Sequence, residues 1–310
     1  MKRVEEIDVN SWHMFLDESG TEGYKRLRKL KLKNNWPEFQ PDPDPQNANF
    51  FSLIGLLIDG KNLVNSLIPA VRKFKCNVYK DEEIVLHLSE MLAGDKQFAM
   101  YKNNPQLFNK DLNRFIDDIK DIKFRIIFVH IDKVRMLKQY VVSPAEPYEL
   151  APTIIMERAA GYICNTNASY INKTVRVWFE ARTKEDDKKL KKYMIDELKL
   201  SIEKLIESSK FPRYSEAVKN IRSIEWHFHG LPKNPIKLNI NEYYKSNYLY
   251  EVGAGLIQGI HVADMMVFAL RRFRENEVYH TIKYLEVEPI INFVLFSGKL
   301  IEEKFFPKEH

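Results

Sequence analysis

Asp17, Asp132 and Glu180 each follow an apolar run of strand character, namely Trp12 to Leu16, Phe124 to Ile131 and Thr174 to Phe179. Neighbouring strands lie about 5 Å apart, so a single sheet can gather carboxylates that are remote along the chain. Oxygen ligands at that separation suit a hard cation. One or two Mg2+ or Mn2+ ions held this way could activate a water and neutralise charge developing on a phosphate. At each position the alternative is that Asp simply favours the turn after a strand.

Asp264 is a fourth candidate. Leu256, Ile260, Ala263, Val267 and Leu270 make one helical stripe, and Asp264 lies at its margin beside Ile257 and Phe268. A buried charge there must be paired or metal-bound, which points to a ligand, with a salt bridge to Arg271 two turns on as the structural alternative. His87 and Glu90 form a further candidate set, although a carboxylate in the first turn of a helix is stabilised by the dipole without any metal. Glu225, His227 and His229 alternate and so share a strand face, which permits a transition metal; a polar outer face of an edge strand explains them equally.

Polyanion contacts have their own candidates. Lys25, Arg26, Arg28, Lys29, Lys31 and Lys33 crowd one segment between Tyr24 and Trp36, a composition suited to phosphates with bases stacked at either end. Arg182, two residues beyond Glu180, either grips a phosphate or serves as the carboxylate's counter-ion. Glu157 and Arg158 are adjacent on a helix and serve separate packing or salt-bridge roles. Nucleophilic serine or cysteine chemistry has no support, because the chain lacks a Gly-x-Ser-x-Gly elbow and neither Cys76 nor Cys164 adjoins a His.

The elements that must position these residues are legible in outline. Strands are expected at Trp12 to Asp17, Phe50 to Ile58, Ile84 to Leu88, Phe124 to Ile131, Thr174 to Phe179 and Ser223 to His229. Gly55 inside the second marks a bulge or a close backbone approach. Helices are expected at Asn109 to Lys120, Pro147 to Ala168, Lys184 to Ser208 and Ala254 to Asn276. Their alternation predicts an α/β fold, a mixed β-sheet flanked by α-helices. We read one domain over 1–310, with an irregular basic and Pro-rich insertion at 21–49, mobile or ordered by a partner, and a second insertion at 231–252.

Hydrophobic residues make up 45% and charged residues 29% of the 310, which is globular composition. The net charge of +5 is too small for a nucleic-acid-coating protein, so any polyanion contact must come from local clusters. Two distant cysteines argue against a disulfide framework or a cysteine zinc site. Met1 to Asn10 alternates in charge where a signal peptide is apolar, and no run reaches the length of a membrane span, so a cytoplasmic protein with no membrane partner is expected.

Several segments, in order, resemble the domain-of-unknown-function family 3800. Phe15-Leu16-Asp17-Glu18-Ser19-Gly20 is similar to its opening strand, and Gln258-Gly259-Ile260-His261-Val262-Ala263-Asp264 to its late helix. His87-Leu88-Ser89-Glu90 resembles its His-x-x-Glu segment, Tyr148 through Arg158 its middle helix, and Val177 through Arg182 its acidic strand end. The resemblance runs from Phe15 to about Leu270 and implies a ribonuclease-H-like fold. It also implies Asp17, Glu180 and Asp264 as metal ligands, with Glu90 or Glu18 as a fourth. Glu180 departs from the Asp more usual there, and 231–250 is longer than the family pattern. The function expected is a Mg2+- or Mn2+-dependent nuclease or related phosphodiester hydrolase. The alternative is a catalytically inactive nucleic-acid-binding or assembly protein, a homo-oligomer or part of a defence-type complex.

Overall fold

The computed structural model describes residues 7, 9–20, 23–42, 49–82, 84–140, 144–166, 173–180, 221–229, 248–279 and 285–307. Their centre is a six-stranded sheet of order β5-β4-β1-β2-β3-β6. The strands are β1 (Trp12–Gly20), β2 (Phe50–Asp59), β3 (Arg125–Asp132), β4 (Lys173–Glu180), β5 (Ile221–His229) and β6 (Leu300–Phe306). β1, β2 and β3 form an antiparallel meander, whereas β4 runs parallel to β1, β5 parallel to β4 and β6 parallel to β3. The protein is therefore α/β with a mixed sheet flanked by helices.

β2 and β3 are buried on both faces, which is why they read as nearly continuous apolar runs. One face is covered by α3 (Ile68–Tyr79), α4 (Leu88–Ala93), α5 (Pro105–Ile119), α8 (Tyr248–Tyr279) and α9 (Glu288–Phe296). The other is covered by α1 (Lys25–Lys33), α6 (Lys133–Gln139) and α7 (Pro147–Thr166). A short helix α2 (Gly60–Asn62), capped by the Asp59 carboxylate, and a π-helical turn at Leu63–Leu67 lead from β2 into α3.

Glycines set two close approaches. A Cβ on Gly259 would lie 2.4 Å from the Phe15 ring, so α8 rests directly on β1. A Cβ on Gly55 would lie 2.5 Å from Ile155 Cγ2, bringing α7 onto β2 and bearing out a close approach at that position.

Several expectations change. The basic segment is not irregular: Lys25–Lys33 is helical, because Tyr24 and Leu27 fall on one side and bury against the α7-side core. Ile84 to Leu88 is not a strand; it is extended, with Ile84 and Leu86 buried, yet among the described residues no sheet partner pairs with it, and Leu88 already begins α4. β1 continues through Glu18 and Ser19 to Gly20, whose φ of +99° ends it. α8 begins at Tyr248, within the segment read as an insertion. The Lys184 to Ser208 helix lies outside the described residues. Among the described residues no helix is long and apolar enough to cross a membrane.

Candidate functional site

Alternation along β1 decides what Asp17 can meet. Phe15 packs into the core on the α8 side, whereas Met14 and Leu16 pack into the core on the α7 side. Asp17 therefore shares the α8-side face with Phe15, and it is buried at 6% exposure. Glu18 falls on the opposite face, so it cannot join Asp17 as a ligand, and that expectation is corrected by the two-residue period itself. On the β2 side Asp17 pairs with Ile54. On the β4 side Leu16 pairs with Phe179, so Glu180 stands level with Asp17. Glu180 in turn pairs with His229, and Arg176 with Glu225 and Trp178 with His227. Glu225, His227 and His229 thus sit on the edge strand β5 at the register positions of Arg176, Trp178 and Glu180.

Asp264 is carried by α8. That helix touches β1 at Gly259 over Phe15, and again where Arg271 Nε donates to Ser19 Oγ at 2.7 Å. Asp17 lies midway between Phe15 and Ser19 as Asp264 lies near the middle of 259–271. Asp264 and Arg271 are seven residues apart, close to two turns, and so occupy one flank of the helix.

The Asp264 carboxylate also anchors α4. Leu88 N–H donates to Oδ2 at 2.8 Å, and His87 Nδ1 lies 3.3 Å from Oδ1. The segment His87 to Glu90 is thereby held against α8, with Glu90 half-buried in the first turn of α4. Arg271 does not pair with Asp264; it pairs with Glu275 at 2.6 Å. Asp132 is no ligand either, since its buried carboxylate accepts from Arg135 N–H at 3.0 Å and caps α6. Arg158 is ion-paired to Glu302 of β6 at 2.7 Å, the structural role expected for it.

Among the described residues no three His, Cys, Asp or Glu side chains form a group able to hold a metal. Asp17, Glu90 and Asp264 therefore do not make a centre by themselves. Glu180 is the register neighbour of Asp17 on the adjacent strand. Carboxylates supply the hard oxygens that Mg2+ or Mn2+ takes, and the buried Asp17 neighbours Glu180 in strand register.

Beyond Asp17 along the same face lies a buried ionic network that composition alone does not reveal. Ser52 Oγ and His130 Nδ1 are 2.6 Å apart on β2 and β3, and burial, followed by Arg274 and Arg271, holds the imidazole far below its ordinary value and so neutral. Burial pushes Lys133 down to about 7, with Arg271 and Arg26 adding to the effect and Glu275 and Asp42 opposing it. Burial raises Glu275, and the Arg271 guanidinium opposes that. The one sequence signal was the Arg271 and Glu275 spacing of four on an apolar helix.

The polyanion candidates divide. Lys25, Arg28 and Lys29 are exposed on α1, whereas Arg26 is ion-paired to the buried Asp42. Tyr24 is buried and donates its hydroxyl to Ala145 O at 2.8 Å, so it does not offer a stacking face. Arg182 lies outside the described residues.

Comparison with protein-family models, with curated proteins and with solved structures found no match.

Proposed function

We propose that the chain is a divalent-metal-dependent phosphodiester hydrolase acting on nucleic acid, built on a ribonuclease-H-like core and related to the domain-of-unknown-function family 3800. The observation that carries the reading is the register that sets Glu180 level with Asp17 on the face covered by α8. The strand order supports it as well: an antiparallel β1-β2-β3 meander extended by β4 and β5 parallel to β1 is the order expected of such a core.

In this reading Asp17 and Glu180 hold the metal, and Asp264 of α8 and Glu90 of α4 are the further ligands. Mg2+ or Mn2+ would supply Lewis acidity and an activated water. Asp17 contributes a carboxylate fixed by the sheet, so its position costs no reorganisation during the reaction. Asp264 contributes from a helix locked to β1 at two points. Two carboxylates at the inter-strand spacing of about 5 Å would repel by roughly 3 kcal/mol at an effective dielectric of about 20, which would favour a cation between them.

The test is cleavage of labelled single-stranded, duplex and hybrid nucleic acids with Mg2+ or Mn2+. Cleavage is expected, and Asp17→Asn should reduce it by about a thousand-fold, the order that follows from losing several kcal/mol of charge stabilisation. Intact substrates throughout would refute the reading.

One observation favours a second reading, an inactive binding or assembly protein: both Asp264 oxygens already engage the start of α4. Titration with Mn2+ separates the two. Binding lost in Asp17→Asn supports the hydrolase, and nucleic-acid affinity indifferent to both metal and Asp17 supports the binder.

A further inference from the structure

Helix α1 breaks two local rules. Its first turn carries Lys25 and Arg26 and no acid, although the positive end of a helix dipole disfavours cations. Lys25, Lys29 and Lys33 then repeat at intervals of four, where like charges on one helix face repel and destabilise it. A sequence that accepts such costs locally is expected to do so for function.

The charges also stand on a firm base. Leu27 is buried beneath them, Tyr24 is tied to Ala145 O, and Arg26 is tied to Asp42. Asp42 is fixed in turn by two hydrogen bonds with Asn49, whose carbonyl accepts from Lys133 N–H at 2.9 Å. Lys133 feels the charges of Arg26 and Asp42 as well as those of Arg271 and Glu275. Since Arg271 bonds Ser19, two residues past Asp17, α1 lies at the strand end that carries Asp17.

The outer face holds Lys25, Arg28, Lys29 and Lys33, all exposed. Arg28 lies 6.0 Å from the Tyr24 ring, and none of the four forms an ion pair among the described residues. The three lysines rise about 6 Å per step along the axis. A repeating row of cations matches a repeating polyanion better than a single phosphate. Insertion into a lipid surface would require a free apolar face, and here Leu27 and Tyr24 are spent on the core, leaving Leu32 exposed.

We infer that α1 is a preformed docking rail for the sugar-phosphate backbone of nucleic acid, holding a strand at the sheet end where Asp17 and Glu180 stand. The inference rests on the nucleic-acid reading above and refines it. Lys25, Arg28, Lys29 and Lys33 stay in the contact set, Arg26 leaves it for a structural role, and binding needs no metal.

The experiment is fluorescence anisotropy of a labelled single-stranded oligonucleotide in EDTA across roughly 50 to 250 mM KCl, the range over which counterion release is read. The Lys25→Gln/Lys29→Gln/Lys33→Gln variant should weaken binding at least about tenfold at the low-salt end and flatten the logarithmic salt slope by about 2, at about 0.7 per lost contact. The exposed pair Lys102→Gln/Lys110→Gln on the α5 side serves as control and should bind as the parent does. Thermal melting of the triple variant should be unchanged or slightly higher, because like-charge repulsion is removed. Equal affinity and slope in parent and triple variant would overturn the inference, and so would a parent that ignores the oligonucleotide yet binds anionic vesicles through these lysines. Binding that behaves as expected beside absent cleavage would instead overturn the proposed chemistry and leave the rail standing.

Discussion

The two faces of the sheet are built from the same strands and hold different chemistry. Toward α7, the strands present Met14, Leu16, Leu53, Leu57, Ile127, Val129, Val175 and Val177, an apolar set. Toward α8, the same strands present His13, Asp17, Ser19, Ser52 and His130, all buried among Phe15, Ile54 and Phe128. Burying polar groups is costly unless they are partnered, and among these strand residues the cost is met toward α8. That face therefore carries the candidate chemistry, while the other carries cohesion.

The largest expected effect breaks this contrast at its ionic end. Arg271→Ala should destabilise the fold by about 3–5 kcal/mol, because it leaves Glu275 charged, buried and without its guanidinium. Arg271→Met/Glu275→Leu should recover most of that loss, since replacing both partners removes the stranded charge. Leu16→Ala on the α7 face should cost about 2–5 kcal/mol by cavity formation, and no second polar change can rescue it. Urea denaturation of the variants would measure the difference. A double variant as unstable as Arg271→Ala would mean the two faces are held by packing alone.

A somewhat smaller effect is read from pH. Lys133 has a folded value of about 7 against an ordinary 10.5, so between those values the unfolded chain binds a proton that the folded chain does not. Stability should therefore rise from pH 7 toward 10.5, by up to about 1.4 kcal/mol per unit, and be flat below 7. Tyr79 and Tyr101, both raised chiefly by burial, act with the opposite sign. They cost stability once the unfolded tyrosines ionise above about pH 10. Denaturation midpoints from pH 7 to about 10 should climb in the parent and stay level in Lys133→Met. An equal climb in both would remove Lys133 from the network.

The central strands were legible because apolar runs bounded by turn residues leave few other readings, and β1 to β5 emerge within a few residues of their observed ends. Edge strand β6 was not, since Glu302, Glu303 and Lys304 break its apolar pattern in the way that protects an exposed edge. α1 was misread because six cations outweighed the phase of Tyr24 and Leu27. The extended segment at 84–87 shows that alternation reports burial and not pairing. Within the candidate site, the strand-end signal singled out Asp17, Glu180 and Asp132 alike, and Asp132 is a helix cap. That distinction lives in sheet register, which no local pattern encodes. The ionic network around Lys133 depends on contacts between residues more than a hundred positions apart, such as Arg271 with Ser19.

The smallest effect compares the faces through their glycines. A Cβ on Gly259 would meet three ring atoms of Phe15 at 2.4–2.5 Å. That ring is fully buried and stacked near Trp178 at 6.4 Å, so it has nowhere to turn. α8 would have to lift, at about 1–3 kcal/mol, and Asp264 would lift with it. A Cβ on Gly55 would meet a single methyl of Ile155 at 2.5 Å, with Leu16 and Met14 at ordinary contact distances beyond. α7 can give there at a lower cost. Gly259→Ala should accordingly lose both stability and metal affinity, while Gly55→Ala should lose a little stability and keep Mn2+ binding unchanged. Equal losses of metal affinity in the two variants would show that Asp264 owes nothing to the seating of α8 on β1.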